Sequence, residues 1–396
     1  MVGRIIEKIE LQRIIESDKA EFVVVFGRRR VGKTLLVREF FKNNFTFYHT
    51  GMANSTKKKQ LQAFNASLNK YGNVEFPQSK DWFDSFQQLE KLIIANRKRS
   101  KKIIFIDEMP WLDTKRSDFI SALEYFWNSF ASARNDVLFI ACGSATSWIT
   151  QKILKNHGGL HNRVTRQIYL QPFTLKECEA YYASQKIVMS HYEMVENYMI
   201  FGGIPYYLSF MRKDLSMSQN IDNLLFDKKS PLFNEFENLY ASLFRNAGNH
   251  LRIVEALSKK STGLTREEIL RATKIANGGN FTQTLIDLEL CGFIRKYNGF
   301  SNKERNSLYQ LCDFYTLFYY YYLKTNSFDD EHFWTNIIES GQHRAWSGYS
   351  FEQVCLSHIK QIKQKLGISG VLTKTDHPQN PVLSCKIVSL QQKHVK

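Results

Sequence analysis

The chain has 396 residues and a formal net charge of +16, with 43% hydrophobic and 23% charged residues. That balance excludes a disordered, collagen-like or coiled-coil chain and leaves a globular protein of roughly two to four domains. Charges of both signs by residue 8 leave no room for the apolar core of a signal peptide. The most apolar run, Phe314 to Leu323, is about half the length of a bilayer span, so no membrane association is expected.

Six cysteines stand at 142, 178, 291, 312, 355 and 385, with no CxxC pair and no histidine pair at zinc spacing. The expectation is reduced thiols in a cytoplasmic protein. Basic runs at Lys57–Lys59, Arg97–Arg99 and Lys101–Lys102 fit a DNA partner. They fit a lysine-rich solvated surface equally well.

Phe22 to Phe26, with three valines in succession, predicts a strand buried on both faces. A helix follows from Leu35 to Phe41. Further strands are expected at Phe45–Thr50, Ile103–Ile106, Val137–Cys142 and Gln167–Leu170, with a helix over Ser117–Phe130. Strand–helix alternation of this kind predicts an α/β fold with a parallel sheet covered on both faces. From Thr174 the pattern turns helical, broken by Gly202-Gly-Ile-Pro205.

Between the first strand and its helix stands Gly27-Arg-Arg-Arg-Val-Gly32-Lys33-Thr34, a complete GxxxxGK[ST] string. Glycines allow the tight turn that aims backbone N–H groups at phosphates, and the helix N-terminus favours the same anion. The predicted ATP cradle is Gly27, Arg28, Arg29, Arg30, Val31, Gly32, Lys33, Thr34 and Leu35. Lys33 is expected to reach the β- and γ-phosphates and Thr34 to ligate Mg²⁺. The three arginines add positive charge for nucleotide, a partner or DNA, or face solvent.

The strand Ile103–Ile106 ends in Asp107-Glu108. Asp107 is the expected second metal residue and Glu108 the base that polarises the attacking water. A polar residue on an intervening strand end can sense the γ-phosphate. Ser144 is the first choice and Thr146 the reserve. Ahead of the fifth strand, in His161-Asn-Arg163-Val-Thr-Arg166, an arginine can neutralise charge in the transition state. Arg163 is preferred, with Arg166 as the alternative or as a surface ion pair.

The P-loop string, the Ile-Asp-Glu strand, the Cys142-Gly-Ser144 turn and Gly202-Gly-Ile-Pro205 together resemble the archaeal-type AAA-like ATPases, on the signal-transducing (STAND) side of the P-loop ATPases. Residues 1 to about 245 carry the resemblance, and Gly3-Arg4 with Glu7 matches the family's opening segment near the adenine. It implies a five-stranded AAA-type sheet over 1–172 and a helical lid over 173–245, with Gly203 and Pro205 close to the nucleotide.

Residues 246–312 predict a winged helix: helices Leu251–Leu257, Glu267–Thr273 and Phe281–Leu290, then a hairpin of Phe293–Tyr297 and Ser307–Leu311. The third helix carries Asp287 and Glu289 but no Lys or Arg. The positive charge sits on the wing at Arg295, Lys296, Lys303 and Arg305. This favours docking within the chain or to a protein partner over direct DNA reading. Over 313–396, a helix from Trp346 past His358 to Leu366 resembles the start of the restriction-endonuclease-like domain of many relatives, with Glu352 as its first acidic residue. Asp376 is the last acidic residue and no Glu-x-Lys follows, so a truncated domain without nuclease activity is expected. The functional expectation is an ATP-hydrolysing switch, slow in turnover, alone or in a homo-oligomer. The alternative is a non-catalytic ATP-dependent regulator that binds DNA or protein.

Overall fold

The computed structural model describes residues 2–97, 100–155, 158–160, 162–244, 246–297 and 307–370. His161, part of the basic run at 97–99, the wing tip with Lys303 and Arg305, and the tail carrying Asp376 lie outside these. The chain divides into two compact units. One comprises Met1–Lys186, Gly203–Ser209 and Ser242–Phe244; the other comprises Ile187–Gly202, Phe210–Ala241 and Arg245–Lys396.

The first unit is built on five parallel strands: β1 (Glu21–Phe26), β2 (Phe47–Thr50), β3 (Lys102–Asp107), β4 (Val137–Gly143) and β5 (Arg166–Tyr169). Their order across the sheet is β2-β3-β4-β1-β5. β1, β3 and β4 are buried at every position, as continuous apolar runs covered on both faces should be. The helices are α1 (Ile5–Ile15), α2 (Lys33–Phe40), α3 (Lys57–Gly72), α4 (Trp82–Ala95), α5 (Phe119–Ser129), α6 (Thr146–Ile149) and α7 (Leu175–Ser184). This is the α/β arrangement, a five-stranded parallel sheet, that the sequence predicts.

Alternate strand residues divide between the two faces of the sheet. Phe22, Val24, Phe47, Ile104, Ile106 and Phe139 form one core with Phe64, Leu68, Trp82, Phe86, Phe119 and Phe126 from α3, α4 and α5. Aromatic rings interlock there: Trp82 meets Phe119 edge-on at 4.9 Å, and Phe22 meets Phe139 at 5.1 Å. α3 and α4 fill the stretch between β2 and β3, to which the sequence pattern assigns no element. Thr56 and Asp81 cap their N-termini by accepting from Lys59 N–H and Asp84 N–H. The Lys57–Lys59 run is the first turn of α3. α5 begins two residues later than predicted because Asp118 is left-handed (φ 56°).

In the second unit a helix at His191–Phe201 opens with a Ser190/Glu193 capping box. Helices at Gly248–Ser258, Arg266–Thr273 and Gly279–Leu290 follow, the middle one opened by a Thr265/Glu268 capping box. Strands β6 (Leu264–Thr265), β7 (Ile294–Tyr297) and β8 (Leu308–Leu311) form an antiparallel sheet of order β6-β8-β7. The helix predicted from Trp346 to Leu366 begins earlier and is broken in two, Gly341–Ser357 and Ile359–Lys365, with His358 at φ −109° between them. Among the described residues no helix is long and apolar enough to cross a membrane.

Candidate functional site

In a parallel sheet the C-terminal strand ends share one edge, and the loops that follow build one site. The sheet order places β4 between β1 and β3. Gly27–Thr34 after β1, Asp107 at the end of β3 with Glu108 next to it, and Ser144 after β4 therefore meet at that edge.

The Gly27–Thr34 loop turns at its two glycines. Gly27 has φ 138°, and a Cβ there would lie 2.3 Å from Leu170 O, so only glycine fits. Gly32 caps α2 in the left-handed region at φ 90°, and its missing Cβ faces open space. Lys33 is buried, and its Nζ donates to Gly27 O at 3.1 Å and Arg28 O at 2.8 Å. The ammonium thus sits inside the loop it is expected to serve.

Thr34 Oγ1 donates to Asp107 Oδ2 at 2.7 Å. A hydroxyl and a carboxylate in contact are two hard oxygen donors, which suits Mg²⁺ held with substrate phosphates and water. Among the described residues no group of three or more His, Cys, Asp or Glu side chains could enclose a metal by itself. The donor set fits a metal that arrives with nucleotide.

Glu108 follows in a left-handed conformation, φ 45° and ψ 39°. Its N–H donates to Asp107 Oδ1 at 3.0 Å, and Ser144 Oγ lies 3.2 and 3.1 Å from its two carboxylate oxygens. Burial first, and the neighbouring Asp107 second, raise the Glu108 carboxyl above the ordinary range; Lys33, the Ser144 hydroxyl and Arg29 pull it down. Thr146, the reserve for Ser144, is buried as the first residue of α6 and donates to Ser144 O at 3.5 Å.

Two arms that sequence spacing does not reveal brace the loop. Arg4, buried in the opening Gly3-Arg4 segment, donates from Nη2 to Val31 O at 2.9 Å. Its guanidinium lies 4.6 Å over the Phe173 ring, and the backbone N–H of Arg4 donates to Glu177 Oε1. Arg30, at φ 71°, lies 4.1 Å over the ring of Tyr206, the residue after Pro205. Pro205 opens a one-turn helix, Pro205–Leu208. Arg28 is buried, Arg29 partly exposed, and Leu35 exposed on the first turn of α2.

Arg163 is exposed in the loop before β5. Among the described residues its side chain has no hydrogen bond or ion pair to Lys33, Asp107, Glu108 or Ser144. Arg166 is the first residue of β5 and pairs with Glu10 of α1 at 3.0 Å.

A family model described as an ATPase domain predominantly from Archaea matches residues 2–211, over half of the chain. The chain belongs to this ATPase family. One relative of the ATPase, an uncharacterized protein of Methanocaldococcus jannaschii, is 24% identical over 357 residues, covering 89% of this chain and 76% of the relative. A second, an uncharacterized ATP-binding protein of the same organism, is 45% identical over 38 residues, 9% of this chain and 64% of its own length. Among solved structures, the Walker-type ATPase PABY2304 of Pyrococcus abyssi superposes with a TM-score of 0.56 at 14% identity, covering 81% of this chain and 96% of that one. That likeness is one of fold.

Proposed function

We propose that this ATPase is a slow, ATP-hydrolysing switch. The observation that carries the reading is the junction of Thr34 with Asp107 at 2.7 Å, beside a Glu108 held by Ser144. Backbone N–H groups of Gly27–Gly32 and the Lys33 ammonium would receive the phosphates, with Arg28, Arg29, Val31 and Leu35 along the same cradle. Thr34 and Asp107 would hold Mg²⁺, which supplies charge neutralisation at the phosphates. Glu108 would take a proton from the attacking water, and Ser144 would register the γ-phosphate by exchanging its bond to Glu108. Arg163, exposed in the loop before β5, stays the choice for transition-state charge. Arg166 is engaged with Glu10.

Movement of the Gly203–Pro205 turn would report the nucleotide state. Arg30 over Tyr206 supports this, because it ties the phosphate loop to that turn. We read 173–245 as the lid, 246–312 as a winged helix and 313–396 as a segment that resembles the start of a nuclease-like domain. Three helices and the β6-β8-β7 sheet support the winged-helix reading. Arg295 is turned inward, bonded to Tyr297 and Gln353, which favours docking within the chain or to a protein partner over DNA on that strand. The remaining positive charge keeps DNA, or a second copy, as a candidate partner. The reading is of a cytoplasmic protein.

Steady-state ATP turnover of wild type, Lys33→Ala and Glu108→Gln, with and without DNA, tests this. Both substitutions are expected to lower turnover by about a hundredfold or more. Equal rates in all three chains would sink the switch. Tight ATP binding without phosphate release in wild type would favour the non-catalytic regulator.

A further inference from the structure

Gln60 lies in the first turns of α3, outside every motif of the site, and is completely buried. Its side-chain amide uses its full donor set. Oε1 accepts from Met52 N–H at 3.1 Å, and Nε2 donates to Met52 O at 2.6 Å and to Trp111 O at 3.0 Å. Two carbonyls and one N–H fix which way the amide faces. The side chain therefore ties together the turn after β2 and the turn after β3.

Both turns press on Glu108. Gly51 N–H donates to Asp107 O at 2.9 Å, continuing the β2–β3 ladder beyond Thr50. A Cβ on Gly51 would lie 2.4 Å from Glu108 O, so the two backbones meet at a distance that only glycine allows. On the other side Trp111 N–H donates to Glu108 O at 3.1 Å, closing a single turn over Glu108. Glu108 itself is left-handed, a conformation a non-glycine residue keeps only where its surroundings impose it.

We infer that Gln60 is a positioning residue for the hydrolytic step. By clamping Met52 to Trp111 it holds the main chain of Glu108 left-handed and so fixes where the carboxylate stands. Among the described residues its side-chain hydrogen bonds go to Met52 and Trp111, and none goes to the phosphate loop or Thr34. The inference rests on the reading of Glu108 as the residue that polarises water.

The test compares full-length wild type, Gln60→Leu, Gln60→Glu, Glu108→Gln and the double variant Gln60→Leu/Glu108→Gln. ATP affinity is read by equilibrium titration and turnover at saturating ATP. Gln60→Leu removes all three bonds, and kcat should fall roughly ten- to hundredfold, as for a small misplacement of a reacting group. ATP affinity should stay within about twofold, since uniform binding is untouched. Gln60→Glu keeps the Met52 N–H bond and should fall between wild type and Gln60→Leu. It carries the test if the leucine variant does not fold. The double variant should be no slower than Glu108→Gln alone, because Gln60 acts through Glu108. Wild-type kcat in Gln60→Leu, parallel loss of rate and affinity, or multiplying losses in the double variant would each overturn the inference while leaving the role of Glu108 standing. Wild-type turnover in Glu108→Gln would overturn both.

Discussion

The hydroxyl of Ser144 donates to the carboxylate of Glu108, lying 3.1 and 3.2 Å from its two oxygens. The bond spans two neighbouring strand ends, β4 and β3, and holds the charged form of a carboxylate that burial disfavours. Two opposed influences on one group make its pH behaviour informative.

In the proposed role of base Glu108 would act only when ionised, and burial raises its carboxyl above the ordinary range. Turnover at saturating ATP should therefore rise with pH through that raised value and level off. In Ser144→Ala one influence favouring ionisation is gone, so the rising limb should move to higher pH and the rate at neutral pH fall several-fold. A kcat–pH profile checks this, and coincident profiles would refute it.

Stability should carry the opposite sign. A carboxyl whose folded pKa is raised above its unfolded value favours the fold when protonated. That contribution is complete below the unfolded glutamate range and is lost as pH rises through the folded value. Glu108→Gln is neutral at every pH. It should melt higher than wild type at neutral and alkaline pH, and the gap should close on acidification. Thermal melts at several pH values decide it.

Arg4 spans residues far apart in sequence, reaching Val31 O from one face and stacking on Phe173. Arg4→Ala removes the side-chain donor to the Val31 carbonyl, while the backbone N–H of residue 4 still serves Glu177, and should cost about 2 kcal/mol. Arg4→Lys should recover little, because an ammonium lacks the planar fork and the stacking surface. Denaturant unfolding measures the loss. ATP affinity should fall with it, since the braced carbonyl lies inside the phosphate loop.

Arg295 presents its charge inward. Its Nη1 donates to Tyr297 OH at 3.0 Å and to Gln353 Oε1 at 3.3 Å, and Tyr297 OH continues to Gln310 Oε1 at 2.9 Å. Arg295→Met should therefore lower the melting temperature and leave the salt dependence of any DNA binding unchanged. A phosphate-contacting arginine would instead lower the slope of log K against log salt by about one. Titration at several salt concentrations separates the two.

Strand existence was legible in the sequence wherever the signal was local. Phe22–Phe26 and Ile103–Ile106 are apolar runs too short for helices and bounded by breakers, and both lie inside observed strands. The helices α3 and α4 were not legible, because their apolar positions are interleaved with lysines, glutamines and asparagines. Several of those polar residues, Gln60, Asn65 and Gln88 among them, are buried against backbone partners. Composition reads such residues as surface.

What the sequence determined by itself is the phosphate loop from Gly27 to Thr34. Its geometry is local: a strand, two glycines whose backbone angles other residues resist, and a helix that starts at Lys33. The acidic pair after β3 was equally local. Their meeting was not. Only the strand order, with β4 between β1 and β3, brings Thr34 to Asp107 and Ser144 to Glu108, and only tertiary packing places Arg4 on Val31 and Gln60 between Met52 and Trp111. Strand order is settled by which faces bury the most apolar surface together. That is a property of the whole sheet and its helices, and no window of the sequence contains it.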